Sequence, residues 1–204
     1  ETATGAQHMI DKGALENVVD VLAMHVDPTR RVGNIGLREH VLTASCDLFE
    51  VFFRGAGGHG ARPHLASDPI DACTRWVQSA YRRISRTVNA HDTVVISVGM
   101  IQAGHSANII PDTAKLSGTL RSLNDRGRDS ALEMLKQVCK ATQLETGCEV
   151  ELKLGTSAPA VINNVPLTQL VGRVAGEVLE AGAIDWVGGE GVGREINSDN
   201  LRRE

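Results

Sequence analysis

The sequence has few aromatic residues and no large excess of either charge. Aromatics make up 3% of the 204 residues, and 25 acidic against 21 basic residues give a formal net charge of −4. Few rings are therefore available to stack on bases, and nothing suggests a surface for polyanions, so we expect no nucleic acid partner. No uninterrupted apolar run reaches the roughly 18 to 20 residues of a membrane-spanning helix, so we expect no membrane partner.

The chain also lacks the cysteine pattern of a secreted protein. Its four cysteines stand far apart and form no C-x-x-C pair. This spacing is no disulfide framework and favours a reduced, cytoplasmic setting. No signal peptide is visible at the start. The sequence begins with Glu1 and not with Met, so we expect the reading frame to start upstream.

What is present indicates a folded protein with an unusual order of elements. A content of 42% hydrophobic and 23% charged residues can form a core and excludes intrinsic disorder. The middle of the chain predicts strand, helix, strand, strand, helix and strand, which is a split βαβ unit with a four-stranded antiparallel sheet and two helices on one face. These segments are 46–54, 67–86, 92–102, 112–122, 125–147 and 148–155. The edge strands of such a sheet expose unpaired backbone groups, and edge-to-edge pairing in a dimer is one way to satisfy them.

The flanking segments have α/β character. The run NVVDVLAMHV (17–26) is almost entirely apolar, as expected of a strand buried on both faces. Residues 37–45 are strand-like, and 5–12 and 163–182 have the apolar spacing of helices. The last stretch, from 184, has no clear period. The middle module is therefore predicted to be inserted between two parts of another domain.

A glycine-rich segment, GAGGHGARPH (55–64), contains the first candidate site residue, His59. Its glycine neighbours offer no side chains for packing, and glycines let the backbone turn sharply and let a ligand approach closely. An exposed imidazole here could donate a hydrogen bond to a developing oxyanion or shuttle a proton. The alternative is a glycine-rich hairpin in which His59 only caps a turn.

Three further residues are candidates from their positions. Asn108 lies between two predicted strands and Arg121 ends the second of them, so a guanidinium fork and an amide could bind a carboxylate together. His25 ends the apolar run, where ligand sites of α/β sheets gather. The alternatives are an ordinary surface arginine and an ordinary core or edge histidine.

The motifs GGHGARPH, DPIDA, SANIIPDTAKLSGTLR and GALENVVDVLAMHV together resemble a known family. It is the metal-dependent amidohydrolases of the aminoacylase and carboxypeptidase-G superfamily, in the branch of hippurate and indoleacetyl-amino-acid hydrolases. The resemblance runs from Glu1 to about residue 180. It implies an α/β catalytic domain that holds two divalent metal ions (Zn, Mn or Co) and is interrupted by a ferredoxin-like α+β (βαββαβ) dimerisation or lid domain. The corresponding boundaries are 1–45 and 156–204 for the catalytic parts and 46–155 for the lid.

The resemblance also implies roles for the candidate residues. His25 and Glu1 resemble metal ligands, and His59 resembles a lid histidine that stabilises the tetrahedral intermediate. Asn108 and Arg121 resemble the pair that binds the carboxylate or backbone of the substrate. The implied reaction is amide hydrolysis of N-acyl amino acids such as hippurate, with metals lowering the pKa of a bridging water towards 7 and a carboxylate taking its proton. The implied partners are a small-molecule substrate with a free carboxylate and a second copy of the chain.

The sequence departs from the family pattern at both ends. The early histidine–aspartate and cysteine–x–histidine ligand motifs and the general-base glutamate are absent, and GGE (188–190) is followed by no further match. We therefore expect the chain to be an inactive fragment of the enzyme. Two alternatives stay open, namely a dipeptidase or carboxypeptidase of the same superfamily and a non-catalytic dimerisation or ligand-binding module.

Overall fold

The computed structural model describes residues 4–187, which divide into two compact units. We call them the sheet unit, residues 4–14 and 43–160, and the small unit, residues 15–42 and 161–187. The small unit is thus discontinuous in sequence, with most of the sheet unit lying between its two parts.

The helices and strands are as follows. The α-helices are α1 (Thr4–Asp11), α2 (Pro69–Thr87), α3 (Asp125–Thr146) and α4 (Val165–Val178), and Pro63–Leu65 form a 3₁₀ turn. The strands are β1 (Ile35–Leu37), β2 (His40–Thr43), β3 (Cys46–Arg54), β4 (Gly58–His59), β5 (Val94–Ala103), β6 (Ile109–Ile110), β7 (Thr113–Ser122), β8 (Glu149–Ala158), β9 (Val161–Asn163) and β10 (Ile184–Trp186).

Four long strands form the antiparallel sheet of the sheet unit in the order β5-β7-β3-β8. With α2 after β3 and α3 after β7, this is the βαββαβ arrangement, so the predicted fold class is confirmed. Arg54, at the end of β3, lies opposite Thr113, at the start of β7. Cys46, at the start of β3, lies opposite Ala158, at the end of β8.

The core lies between this sheet and its two helices. Alternate residues of the central strand β3, namely Phe49, Val51 and Phe53, are almost fully buried. They pack in one cluster with Trp76 of α2 and Leu135 of α3. The rings of Phe49 and Trp76 lie 5.8 Å apart between centroids at a tilt of 44°, a favourable aromatic geometry. The period-two burial therefore fixes which face of the sheet carries the helices and which is left open.

Local signals set the helix ends. The side chain of Asp68 accepts a hydrogen bond from the Ile70 amide, and Pro69 is the first residue of α2. Asn124 caps α3 in the same way, through the amide of Gly127. The same helix ends at Gly147, whose φ of 72° is the left-handed conformation that favours glycine. Capping side chains and a terminal glycine therefore set these helix ends.

The expectation of a buried strand at 17–26 is wrong for this structure. These residues form no regular element and are exposed, with Val19 and Met24 each 92% accessible. A strand buried on both faces needs neighbouring strands and covering helices, and no part of residues 4–187 pairs with this run. Its apolar pattern alone does not form a strand.

The small unit contains two short strand pairs that the sequence pattern does not predict. The predicted strand 37–45 is divided, because β1 pairs with β10 in parallel whereas β2 pairs with β9. His40, the first residue of β2, has a positive φ of 59°. Strand β10 falls in the stretch without a clear period, and α4 confirms the helix expected in 163–182. In the described part of the chain, no helix has the length and apolarity required to span a membrane.

One buried ion pair ties α3 to the sheet. The carboxylate of Asp47, with 5% of its side chain exposed, accepts hydrogen bonds of 2.7 and 2.6 Å from Nε and Nη2 of Arg128. Burial acts to raise the pKa of Asp47, but the bonds from Arg128 and Ser157 outweigh it and lower that pKa below its usual value. The pair therefore contributes stability only while Asp47 is ionised.

We expect Asp47→Asn to lower the free energy of unfolding at pH 7 by roughly 2 to 3 kcal/mol. This is less than for a fully buried pair, because 27% of the Arg128 side chain stays exposed. Since the folded-state pKa is depressed, the loss should be constant above the ordinary value of about 3.9 and shrink as the pH falls below it. Urea unfolding between neutral and acidic pH measures this. Asp129→Asn, at a carboxylate 3.7 Å from Arg128 with 74% of its side chain exposed, is the control, and an equal loss in that variant would contradict the assignment.

Candidate functional site

The register of β3 and β7 brings His59 and Asn108 together. Because Arg54 lies opposite Thr113, the chain after β3 and the chain before β7 leave the sheet at the same end. There β4 and β6 pair, with His59 opposite Ile109, and the Gly60 amide donates a 2.9 Å hydrogen bond to the Asn108 carbonyl oxygen. We call this end, with its two exposed side chains, the His59–Asn108 corner.

The glycines of this segment allow close approach to the protein's own backbone. The expected sharp turn is observed at Gly60, where the Arg62 amide donates a 2.8 Å hydrogen bond to the His59 carbonyl oxygen, although none of these glycines has a positive φ. At Gly57, a Cβ would lie 2.5 Å from Oδ1 of Asp112 and 2.7 Å from the carbonyl oxygen of Ile110. The Gly57 amide instead donates a 2.9 Å hydrogen bond to that Asp112 oxygen. Glycine is needed here because a side chain would separate β4 from β6.

Each side chain of the corner has a local hydrogen-bond partner. The amide of Ala61 donates to Nδ1 of His59 at 3.1 Å. The hydroxyl of Ser106 donates to Oδ1 of Asn108 at 2.8 Å. The ring and the amide are thereby oriented by their own loops. Ser106, Asp112 and the Ala61 amide are not among the candidates from the sequence, because no spacing pattern marks them.

Arg121 lies at the other end of the sheet. It is exposed near the end of β7 and stands opposite Val95 of β5. Eight residue-to-residue steps of extended chain lead from Thr113 to Arg121, a distance of about 26 Å. No ion pair among residues 4–187 involves it. Within one chain, therefore, Arg121 does not join the His59–Asn108 corner.

Other cations on the open face of the sheet are already neutralised. A cleft of about 310 Å³ is lined by Arg54 and Lys115. Arg54 pairs with Glu149 and Glu151, and Lys115 pairs with Glu50. A substrate carboxylate would have to compete with these acids, so this cleft is a poorer carboxylate site than the region around Arg121.

The described residues do not form a metal centre. His25 is exposed in the small unit, with Nδ1 2.7 Å from the carbonyl oxygen of Val26. Residues 4–187 contain no group of three or more His, Cys, Asp or Glu side chains that could hold a metal ion. Glu1 and the GGE segment at 188–190 lie outside the described residues. The ligand roles of His25 and Glu1 stay predictions.

The three buried cysteines are unsuited to act as catalytic nucleophiles. Burial raises the pKa of the Cys73 thiol to about 11. It also raises the pKa values of Cys139 and Cys148, against smaller opposing contributions from Trp76 and Thr146 respectively. Thiols held protonated in this way are weak nucleophiles at neutral pH.

The family follows from the sheet unit. A family model described as the M20 peptidase dimerisation domain matches residues 45–147, about half of the chain. This chain belongs to the M20 peptidase family. The match covers three of the four strands of the antiparallel sheet, all except β8, and includes the His59–Asn108 corner. The resemblance inferred from the motifs is thereby confirmed.

Its M20 relatives are enzymes. N-acetylcysteine deacetylase of Bacillus subtilis is 34% identical over 80% of this chain and 43% of its own length. N-acetyldiaminopimelate deacetylase of Listeria monocytogenes is 34% identical over 71% of this chain and 39% of its own length. A Bacillus subtilis structure described as a dinuclear metal binding peptidase of the M20 family matches with a TM-score of 0.70 and 27% identity, over 91% of this chain and 45% of that one. The chain thus spans less than half the length of these proteins.

We expect Gly57→Ala to destabilise the sheet unit, since the new Cβ overlaps Asp112 and Ile110. A loss of roughly 1 to 3 kcal/mol, or about 2 to 12 °C in melting temperature, is the size expected for overpacking. Gly58→Ala is the matched control, because its Cβ would make an ordinary 3.4 Å contact with Ala66. Thermal unfolding followed by circular dichroism compares the two, and equal melting temperatures would contradict this explanation of the glycines.

Proposed function

We propose that the whole protein hydrolyses the amide bond of N-acyl amino acids with divalent metal ions, and that this chain provides the part of the site that binds the substrate. The observation that carries the proposal is the His59–Asn108 corner, in which backbone pairing of β4 with β6 brings two exposed polar residues to the same end of the sheet. Membership of the M20 family and the two deacetylase relatives support the reaction class.

Each proposed residue has a role that its chemistry allows. The His59 ring donates a hydrogen bond to the oxygen of the amide carbonyl as negative charge develops on it. The Asn108 amide orients the same end of the substrate. The Arg121 guanidinium binds the free carboxylate of the amino acid. Hippurate-like substrates contain both an amide and such a carboxylate. The metal ions require donors in addition to those of residues 4–187.

The separation between Arg121 and the corner requires a second protomer. About 26 Å is far longer than a small N-acyl amino acid, so one substrate cannot contact both groups of the same chain. We therefore propose a homodimer in which each site takes the His59–Asn108 corner from one protomer and Arg121 from its partner.

Pairing at the β5 edge gives the required geometry. Along this strand, Val95 lies opposite Arg121, whereas Ala103 lies at the end of the sheet that carries the corner. If two copies of β5 pair antiparallel about a two-fold axis, the Val95 end of one lies beside the Ala103 end of the other. Arg121 of one protomer then lies on the same side as the corner of its partner.

The surface of β5 supports this pairing. It is an edge strand of the sheet, and Val95, Met100 and Ile101 are 52%, 42% and 53% exposed. An edge with apolar side chains and unpaired backbone groups favours association with a second strand. The matched family is itself described as a dimerisation domain.

A cytoplasmic location is part of the proposal. All four cysteines are free thiols, as expected in a reducing compartment.

A second candidate function is a non-catalytic dimerisation or ligand-binding module. The observation that favours it is the lack of any group of three metal donors in residues 4–187. For the same reason we propose that the 204 residues alone do not turn over hippurate. If the product of the whole reading frame, supplied with Zn²⁺, Mn²⁺ or Co²⁺, also fails to hydrolyse N-acyl amino acids, this second function is the better one.

We expect Arg121→Ala in the product of the whole reading frame to raise KM for hippurate about ten- to a hundredfold, because one charge-assisted interaction with the carboxylate is lost. The rate at saturation should change less, since the contact is made in substrate and transition state alike. Steady-state kinetics measures both. Arg82→Ala, at an exposed position of α2, is the control. A substrate whose carboxylate is esterified should not distinguish Arg121→Ala from the wild type, and an unchanged KM for hippurate would remove Arg121 from the site.

We further expect His59→Ala and Arg121→Ala to complement each other when co-expressed. In a mixed dimer, one site then combines both substitutions and the other keeps His59 and Arg121 intact. At a substrate concentration well below KM, where both substitutions lower the rate, random assembly gives one intact site in half of the dimers, or about a quarter of the wild-type rate. Activity no greater than that of the separate variants would show that the two groups act in the same chain or not at all.

A further inference from the structure

The structure contains two histidines whose ring Nδ1 atoms face backbone groups of opposite kind. In His59 the nearest partner of Nδ1 is the amide of Ala61, at 3.1 Å. In His25 it is the carbonyl oxygen of Val26, at 2.7 Å. A backbone amide can only donate and a carbonyl oxygen can only accept, so each contact decides where the proton of the neutral ring lies.

For His59 the consequence is a protonated Nε2. An amide donor facing Nδ1 requires that nitrogen to be unprotonated, so the neutral ring carries its proton on the other nitrogen. For His25 the carbonyl acceptor requires a protonated Nδ1, which leaves the lone pair of the neutral ring on Nε2. We propose that the backbone holds these two imidazoles in opposite tautomers, with His59 a hydrogen-bond donor through Nε2.

The neighbouring amide points to the same chemistry. The Ser106 hydroxyl occupies Oδ1 of Asn108 at 2.8 Å, which leaves the Nδ2 hydrogens of that amide as its free group. The acceptor atoms of both side chains are therefore engaged by their own loops, and the His59–Asn108 corner presents donors. Such a corner suits an oxyanion or a carboxylate and does not suit a cation or a proton to be abstracted.

Ala61 is therefore a positioning residue that acts through its backbone. This role rests on the proposed function, in which His59 faces the developing oxyanion. Of the two roles that the sequence leaves open for His59, the tautomer selects the hydrogen-bond donor, because neutral His59 has no free lone pair on Nε2 with which to take a proton.

Long-range ¹H–¹⁵N correlation of the labelled 204-residue chain tests the proposal, because it distinguishes protonated from unprotonated ring nitrogens. The spectrum is recorded at about pH 8, where an ordinary histidine is neutral. His59→Gln and His25→Gln assign the signals. We expect the Nε2–H form to predominate in His59 and the Nδ1–H form in His25. The same tautomer in both rings, or a predominant Nδ1–H form in His59, would overturn the proposal.

A pair of substitutions at Ala61 separates its amide from its side chain. Ala61→Pro removes the donor and Ala61→Gly keeps it. Losing one ordinary hydrogen bond should lower the ratio of Nε2–H to Nδ1–H in His59 by roughly two- to tenfold in the proline variant only. An unchanged circular dichroism spectrum and a cooperative thermal transition verify that this variant is folded. An unchanged ratio in folded Ala61→Pro would overturn the role of the amide.

The tautomer test is independent of the hydrolase test. Opposite tautomers in a protein that hydrolyses no N-acyl amino acid would reject the proposed function and retain the assignment of the two rings. Hydrolysis by a protein whose His59 is in the Nδ1–H form would retain the proposed function and reject the assignment of the tautomer.

Discussion

The antiparallel register of β3 with β7 is the constraint on which the other features of the sheet unit depend. It places Arg54 opposite Thr113, and so the two chain segments that carry His59 and Asn108 leave the sheet at the same point. A shift by one residue would turn Phe49 and its inward neighbours to the open face and would lose the core. The energy that buries the aromatic side chains therefore also fixes the polar corner.

The same register places polar groups with different chemical roles at opposite ends of the sheet. One end presents an imidazole and an amide, and the other presents a guanidinium that no acidic side chain of residues 4–187 neutralises. The cations between them are paired with acids of the open face. A strand is rigid along its axis, so this separation cannot be closed by side-chain motion. A second copy can close it, which makes assembly a part of the proposed site.

Regular periodicity made the sheet unit predictable, whereas the parts that depend on distant partners were not. The caps and the apolar faces of α2 and α3 are local, so the order of residues is enough to identify those helices. The run at 17–26 has an equally clear pattern but no partner in the described residues, and it forms no strand. Strands β4 and β6 have two residues each and carry no periodic signal. His59 and Asn108 could therefore be named as candidates, while their adjacency, the close backbone approach at Gly57 and the Ala61 amide arise only when distant segments pair.

The pairing of Cys46 with Ala158 has a consequence for how such a protein can change in evolution. The points at which the chain enters and leaves the four-stranded sheet are neighbours across a single ladder. A module with adjacent ends can replace a surface loop of a host domain without pulling the host's own elements apart. It can equally be excised and its gap closed by a short linker. Because its two ends are adjacent, the four-stranded sheet can be exchanged between proteins or remodelled as one unit without altering the fold of the domain that contains it.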